Sequence, residues 1–208
     1  MKRCVIIGAV EFDFPLENYI RETDFVICAD KGWQNAAAHG IKPDMIVGDF
    51  DSSPRPENPD ADITVLPVVK DDTDTYYVAR YAVENGFTDV LLRGVIGGRR
   101  FEHTMANIQT LLYLAKNRVN ATAVTEYSQI MVICDGGISL PDMGDKFFSL
   151  FSLGDRAEGV SIKGAKYPLD KYTLTNFYPI GVSNEFIGEK VDISVENGAV
   201  LLVISDKD

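Results

Sequence analysis

Met45-Ile46-Val47-Gly48-Asp49-Phe50-Asp51-Ser52 decides how the first half of this chain is read. An apolar, largely β-branched run passes without polar interruption into glycine and then two carboxylates. That is the pattern of a strand buried on both faces that delivers acidic side chains at its end. Arg3-Cys4-Val5-Ile6-Ile7-Gly8 and Phe25-Val26-Ile27-Cys28-Ala29-Asp30 have the same form. Strands apolar on both faces belong to parallel sheets covered by helices. The intervening segments fit: residues 16–21 and 33–39 are helix-like, the second closed by Gly40 and followed by Pro43.

Working outward, Ile63-Thr64-Val65-Leu66 reads as another strand, after which Asp71 or Asp72 caps a helix that runs to Glu84 and stops at Asn85-Gly86. A strand over 89–95, a flexible Gly94-Val95-Ile96-Gly97-Gly98 turn, a helix over 102–116 and a strand at Ala121-Thr122-Ala123-Val124 follow. Residues 1–126 are therefore expected to form an α/β domain with a mostly parallel, doubly wound sheet. From Tyr127 the runs shorten, as in Gln129-Ile130-Met131-Val132-Ile133-Cys134, Lys146-Phe147-Phe148-Ser149-Leu150-Phe151, Gly159-Val160-Ser161-Ile162 and Val200-Leu201-Leu202-Val203-Ile204. Glycine and aspartate turns separate them, so residues 127–208 are expected to be an all-β domain, a small sandwich or barrel.

Composition narrows the chemistry. The 208 residues are 46% hydrophobic and 25% charged, enough for a substantial core. A net charge of −11 argues against a protein that holds nucleic acid through its phosphates, and it requires an anionic substrate to arrive with metal. Cys4, Cys28 and Cys134 are odd in number, far apart and set in apolar runs, which fits buried small hydrophobes and not a disulfide framework or zinc site. No signal-like opening and no apolar stretch near the roughly 20 residues of a membrane helix give the expectation of a cytoplasmic protein that makes no membrane contact.

Asp49, Asp51, Asp71, Asp72 and Asp74 crowd two short segments. Unit charges about 4 Å apart interact by roughly 4 kcal/mol at a surface-like dielectric, so facing carboxylates favour a bound divalent cation. Oxygen ligands suit Mg²⁺, whose shell is completed by water and substrate phosphates. Asp49 and Asp51 point to one side if the chain stays extended there. Parallel sheets bind ligands beyond the carboxyl ends of their strands, where Asp30, Asp49 and the Gly97-Gly98 turn stand. Gly97-Gly98-Arg99-Arg100 offers unobstructed N–H groups and two guanidiniums to phosphate oxygens. Each segment also has a plain reading: helix capping at 71–74, a tight turn before Pro54, solvated arginines after the glycines. His39 and His103 have no second histidine at ligand spacing, which argues against zinc, and Trp33 is read as core. Neither Gly-x-x-x-x-Gly-Lys-Ser/Thr nor Gly-x-Gly-x-x-Gly occurs, which disfavours a P-loop kinase or an NAD dehydrogenase.

Taken in order, these pieces resemble the thiamine pyrophosphokinase family. The matching residues are Ala29-Asp30-x-Gly32, Pro43 to Ser52, Lys70-Asp71-x-Thr73-Asp74, Gly97-Gly98-Arg with His103 and Asn107, Gly164-Ala165-Lys166-Tyr167-Pro168-Leu169, and Ser183-Asn184-Glu185. The resemblance implies an N-terminal α/β domain, a C-terminal β-sandwich, a homodimer with active sites between subunits, and conversion of ATP and thiamine to AMP and thiamine diphosphate. It implies Asp49, Asp51 and Asp74 as the Mg²⁺ and phosphate centre, with Arg100 in the catalytic set. Asp30, Lys70, Asp71, Thr73, Arg99, Glu102, His103 and Asn107 fall on the nucleotide side, and Ser183 and Asn184 on thiamine. Three positions depart from the family: Glu102 replaces an aspartate, one residue is inserted between Gly97 and His103, and Lys31 replaces a glycine. Because of the insertion, counting back from His103 selects Arg100 as the phosphate arginine, while counting forward from Gly97-Gly98 selects Arg99. Two rivals are a haloacid-dehalogenase-like phosphatase with Asp49 as nucleophile and a non-catalytic thiamine or nucleotide sensor.

Overall fold

The computed structural model describes residues 2–13, 19–50, 55–56, 61–67 and 71–207. Asp51 and Lys70 lie outside them. The chain divides into two compact units, Met1–Glu126 and Tyr127–Asp208.

Among the described residues the first unit has six strands, β1 (Arg3–Ile7), β2 (Phe25–Ala29), β3 (Met45–Gly48), β4 (Asp62–Val65), β5 (Asp89–Arg93) and β6 (Asn120–Val124). They lie in the order β6-β5-β1-β2-β3-β4, every pairing parallel. Among the described residues three helices connect them: α1 (Gly32–Ala38), α2 (Asp74–Glu84) and α3 (Phe101–Lys116). α1 packs on β1 and β2, α2 spans β1 to β3, and α3 lies against β6 and α2. This cover is why Ile6, Ile7, Ile27 and Ile46 can be wholly apolar strand residues, all essentially buried, each contributing about 1.5–3 kcal/mol of burial. The chain steps outward from β1 to β4 and then returns to β5 on the other side of β1, so the strand order reverses between β1 and β5. Beyond the carboxyl ends of those two strands lies the natural ligand crevice of such a sheet.

The loops leaving β1 and β5 are fastened together there. Gly8 N–H donates to Arg93 O at 2.7 Å, Val10 N–H to Gly94 O at 2.8 Å, and Asn35 Nδ2 to the carbonyls of Gly8 and Val10 at 2.8 and 3.0 Å. A β-carbon on Gly94 would sit 2.7 Å from Gly8 O and 2.8 Å from Val10 O, and its φ is +66°, so only glycine closes this crossing.

Three local expectations need correction. Of residues 16–21, the described part, 19–21, is turn and irregular backbone: Arg3 donates to the Tyr19 carbonyl and the Asp24 carboxylate takes the Arg21 N–H, consuming groups a helix would use. The cap of α2 is Thr73, whose Oγ1 accepts the Tyr76 N–H at 3.2 Å, while Asp72 pairs with Arg80 at 3.0 Å. The chain is not extended between Asp49 and Asp51, because Phe50 has φ +54°. A left-handed non-glycine costs roughly 1–2 kcal/mol, offset here by packing the Phe50 side chain against the first unit's core.

Among the described residues the second unit has strands and no helix: β7 (Ser128–Pro141), β8 (Lys146–Ser152), β9 (Arg156–Lys163), β10 (Leu169–Thr175), β11 (Asn184–Glu185) and β12 (Lys190–Asp206). All its strand pairings are antiparallel. β12 pairs with β7 along most of its length, with a shift between Val195 and Ala199. Its first half also pairs with β9 and its second half with β8. Phe148, Leu150, Leu174, Ile193 and Leu202 fill the interior. Cys4 and Cys28 are fully buried as expected, whereas Cys134 is only partly so, its Sγ 3.5 Å from Asp135 Oδ2. No helix among the described residues is long and apolar enough to cross a membrane.

Candidate active site

In the first unit the topology gathers the acids at one edge. Asp30 follows β2, and Asp49 follows β3. Their strand ends adjoin: Asp30 N–H donates to Val47 O at 2.8 Å, and a β-carbon on Gly48 would lie 3.5 Å from Asp30 Cα. Asp30 itself is left-handed, φ +51°, an outlier of a kind that gathers at functional sites. α2 leaves β4 and leads into β5, which runs in the same direction as the rest of the sheet, so it must travel back and begin at the carboxyl edge. Its first residue is Asp74, whose Oδ1 is closed off from solvent. An acid in that turn is favoured by the helix dipole. Asp72 is drawn away to Arg80, and Asp71 is exposed.

These donors are all carboxylate oxygens, which fits a hard divalent ion that takes one or two carboxylates and leaves its other positions to water and phosphate. Among the described residues no three acidic, histidine or cysteine side chains gather as a ready-made cage.

The glycine turn after β5 is lashed to the buried face of α3. Gly97 and Gly98 have φ of +92° and +79°. Gly97 N–H donates to Thr104 Oγ1 at 2.9 Å, the Thr104 hydroxyl donates back to Gly97 O at 3.3 Å, and Asn107 Nδ2 donates to Val95 O at 2.6 Å. Thr104 and Asn107, three apart, share one helix face and are buried. Asn107 therefore shapes the turn through its amide. The two arginines differ: Arg100 Nε pairs with Glu102 Oε1 at 2.8 Å, and that bond holds the Glu102 carboxyl below its usual range, while Arg99 is exposed and joins no ion pair among the described residues. His103 stands in the first turn of α3, its ring making no hydrogen bond to a described residue. Lys31, at the N-cap of α1, makes no side-chain cap bond.

In the second unit Ser183 is exposed and left-handed, φ +58°, with its N–H donated to Ser149 Oγ at 3.0 Å. Asn184 is buried against Tyr167. Thr104, Asn35 and Ser149 escape sequence reading, since a lone threonine, asparagine or serine in a helix or strand carries no signal. Only the placing of Thr104 directly after His103 could have drawn attention to it.

Residues 16–123 match the family model "Thiamin pyrophosphokinase, catalytic domain" and residues 138–200 match "Thiamin pyrophosphokinase, vitamin B1 binding domain". The chain is 26% identical over 196 residues to the thiamine pyrophosphokinase of Bacillus subtilis, covering 91% of each. Among solved structures it is similar to that of thiamine pyrophosphokinase from Bacillus subtilis (TM-score 0.89, 24% identity, 100% of each chain). It is also similar to that of thiamin pyrophosphokinase from Geobacillus thermodenitrificans (TM-score 0.87, 25% identity, 99% and 98% covered). The structure of thiamin pyrophosphokinase from Candida albicans shares the fold at 16% identity, with a TM-score of 0.82 over 99% of this chain and 89% of that one.

Proposed function

The chain belongs to the thiamin pyrophosphokinase family and moves a diphosphoryl group from ATP to thiamine, and from that premise we propose which of its residues do the work. The observation that carries the assignment is the order of the two family matches. The acids at the strand ends fall inside the catalytic one, and Ser183 falls inside the vitamin B1-binding one.

Asp49, Asp74 and Asp51 are proposed to hold Mg²⁺ beside the phosphates, supported by the all-oxygen donor set at the carboxyl edge. Bound there, the ion would neutralise phosphate charge and align the chain of phosphates. The remaining work belongs to side chains. Arg99, exposed and outside any described ion pair, binds the transferring phosphates, while Arg100 is engaged by Glu102. Asp30, Lys70, Asp71, Thr73 and His103 form the nucleotide side, and Thr104 and Asn107 set the shape of the glycine turn. The thiamine hydroxyl attacks the β-phosphorus in line, one of the aspartates accepts its proton, and AMP departs. Catalysis is then mainly positioning and charge stabilisation. Ser183 contributes the thiamine contact.

Three further readings belong to the same proposal. The second unit is a sandwich, supported by the way β12 shares its two halves between β9 and β8. The enzyme is a homodimer, supported by exposed apolar side chains such as Phe177 (82% exposed) and Ile187 (65%). It works in the cytoplasm, which suits the buried thiols of Cys4 and Cys28.

Two substitutions and one chelation test the site. Arg99→Ala is expected to raise KM for ATP about tenfold or more, as loss of a charge-assisted phosphate contact does, and Arg100→Ala to change it less than threefold. The opposite ranking would exchange their roles. EDTA is expected to abolish turnover and added Mg²⁺ to restore it; full activity in excess EDTA would remove the metal from the proposal.

A further inference from the structure

Asn184 is 6% exposed, and its carboxamide is spent on the chain itself. Oδ1 accepts the N–H of Tyr167 at 3.0 Å and that of Glu185 at 2.9 Å, and Nδ2 donates to the Tyr167 carbonyl at 2.7 Å. One side chain thus pairs with both backbone groups of a distant residue, as a neighbouring strand would. Around it the clasp continues. Lys166 N–H donates to Glu185 O at 3.0 Å, Ala165 bridges to Phe186, and the Glu185 carboxylate takes both the Lys166 and Lys207 ammonium groups. The segments Gly164–Leu169 and Ser183–Glu185, separate motifs in the sequence, are therefore two halves of one device. Both lone pairs of the Asn184 oxygen and one of its N–H bonds are occupied, so little is left for a ligand.

Ser183, directly before it, is the opposite case. It is exposed, and its hydroxyl makes no hydrogen bond among the described residues. It is held at φ +58°, a conformation that persists in a non-glycine residue only when its surroundings over-determine it. Those surroundings are Ser149 Oγ, which takes the Ser183 N–H at 3.0 Å, and the Asn184 clasp on the other side. We infer that Asn184 is a positioning residue for thiamine binding: with Ser149 it fixes Ser183 in its left-handed conformation, and Ser183, not Asn184, touches the substrate. The inference rests on the reading of this segment as the thiamine contact.

Steady-state kinetics of Asn184→Ala, Ser183→Ala and the double variant test it, with amide hydrogen exchange at Tyr167 as an independent readout. Each single variant is expected to raise KM for thiamine about tenfold and to leave kcat and KM for ATP within twofold. The double variant is expected to be no worse than Ser183→Ala, and exchange at Tyr167 to accelerate in Asn184→Ala. Multiplying effects in the double variant overturn the inference by showing that Asn184 contacts the substrate itself. Should Asn184→Ala not fold, Ser149→Ala in the same cycle with Ser183→Ala is expected to give the same non-additive result, and multiplying effects there count against it equally. Faster exchange at Tyr167 with unchanged KM for thiamine in every variant, Ser183→Ala included, overturns the premise that this segment binds thiamine while leaving the clasp intact.

Discussion

Replacing Thr104 by valine removes one hydroxyl and keeps the side chain's shape, so it isolates what that hydroxyl does for the glycine turn. Two hydrogen bonds are lost. The return bond to Gly97 O, at 3.3 Å, is well beyond the ordinary O–H···O length of about 2.7–2.8 Å and counts for little. The N–H of Gly97, bonded at 2.9 Å, is the group left stranded. A buried donor without a partner costs about 1–3 kcal/mol, but Gly97 is exposed and water replaces part of the bond. The lower end, about 1 kcal/mol, is therefore expected, a fall in Tm of about 2–4 °C for a chain of this size. The turn that presents Arg99 loosens with it, and KM for ATP is expected to rise by about fivefold at most, the equivalent of about 1 kcal/mol, while KM for thiamine stays put. Thermal unfolding and two-substrate kinetics measure both, with Thr104→Ser, which keeps the hydroxyl, as the control. Wild-type Tm and wild-type KM for ATP in Thr104→Val would refute the argument that α3 holds the turn through this residue.

Asp74→Asn keeps the size of the side chain and the Thr73 cap, so circular dichroism and Tm are expected to hold while turnover falls by a factor of about 10² or more; near-normal turnover would take Asp74 out of the mechanism. Burial pushes the thiols of Cys4 and Cys28 up to about 12, so iodoacetamide at pH 8 is expected to label Cys134 alone in the folded protein and all three cysteines in denaturant, read by mass spectrometry. Hydrogen bonds from Lys166 and then Lys207 hold the Glu185 carboxyl below its ordinary value of 4.5. A carboxyl lowered by folding stabilises the fold above its unfolded pKa, and that contribution disappears as pH falls through the folded value. Tm measured downward from pH 6 is therefore expected to drop less steeply below about 4.5 in Glu185→Gln than in the parent, and identical slopes would count against the clasp's charge pairing.

Much of the first unit was legible because its physics is local in sequence. Runs such as Cys4-Val5-Ile6-Ile7 can only be buried on both faces, and the structure places them as central parallel strands. The stops at Gly40 and Gly86 announce themselves because both residues are left-handed there. Misreadings came where tertiary contacts outbid local preference. Thr73 wins the cap because Asp72 has Arg80 to pair with, and Phe50 turns left-handed because its ring has a core to enter. In the second unit, β7 and β12 are far longer than their apolar stretches suggest, since long antiparallel pairing tolerates Asp135-Gly136-Gly137 and Glu196-Asn197-Gly198 inside one bent ribbon. Sequence spacing located the acids and the glycine turn. It had no means of telling a residue that presents itself to solvent, such as Ser183, from one that holds its neighbour, such as Asn184, because that difference lies in hydrogen bonds between distant segments.

The central claim is diphosphoryl transfer from ATP to thiamine, and the stoichiometry of products tests it most directly. Purified protein with ATP, thiamine and Mg²⁺ is followed for AMP and thiamine diphosphate together, beside a control without thiamine. The two products are expected to rise in equal amounts, with neither forming in the control. Phosphate release independent of thiamine, or tight binding of both substrates with no AMP formed, would contradict it.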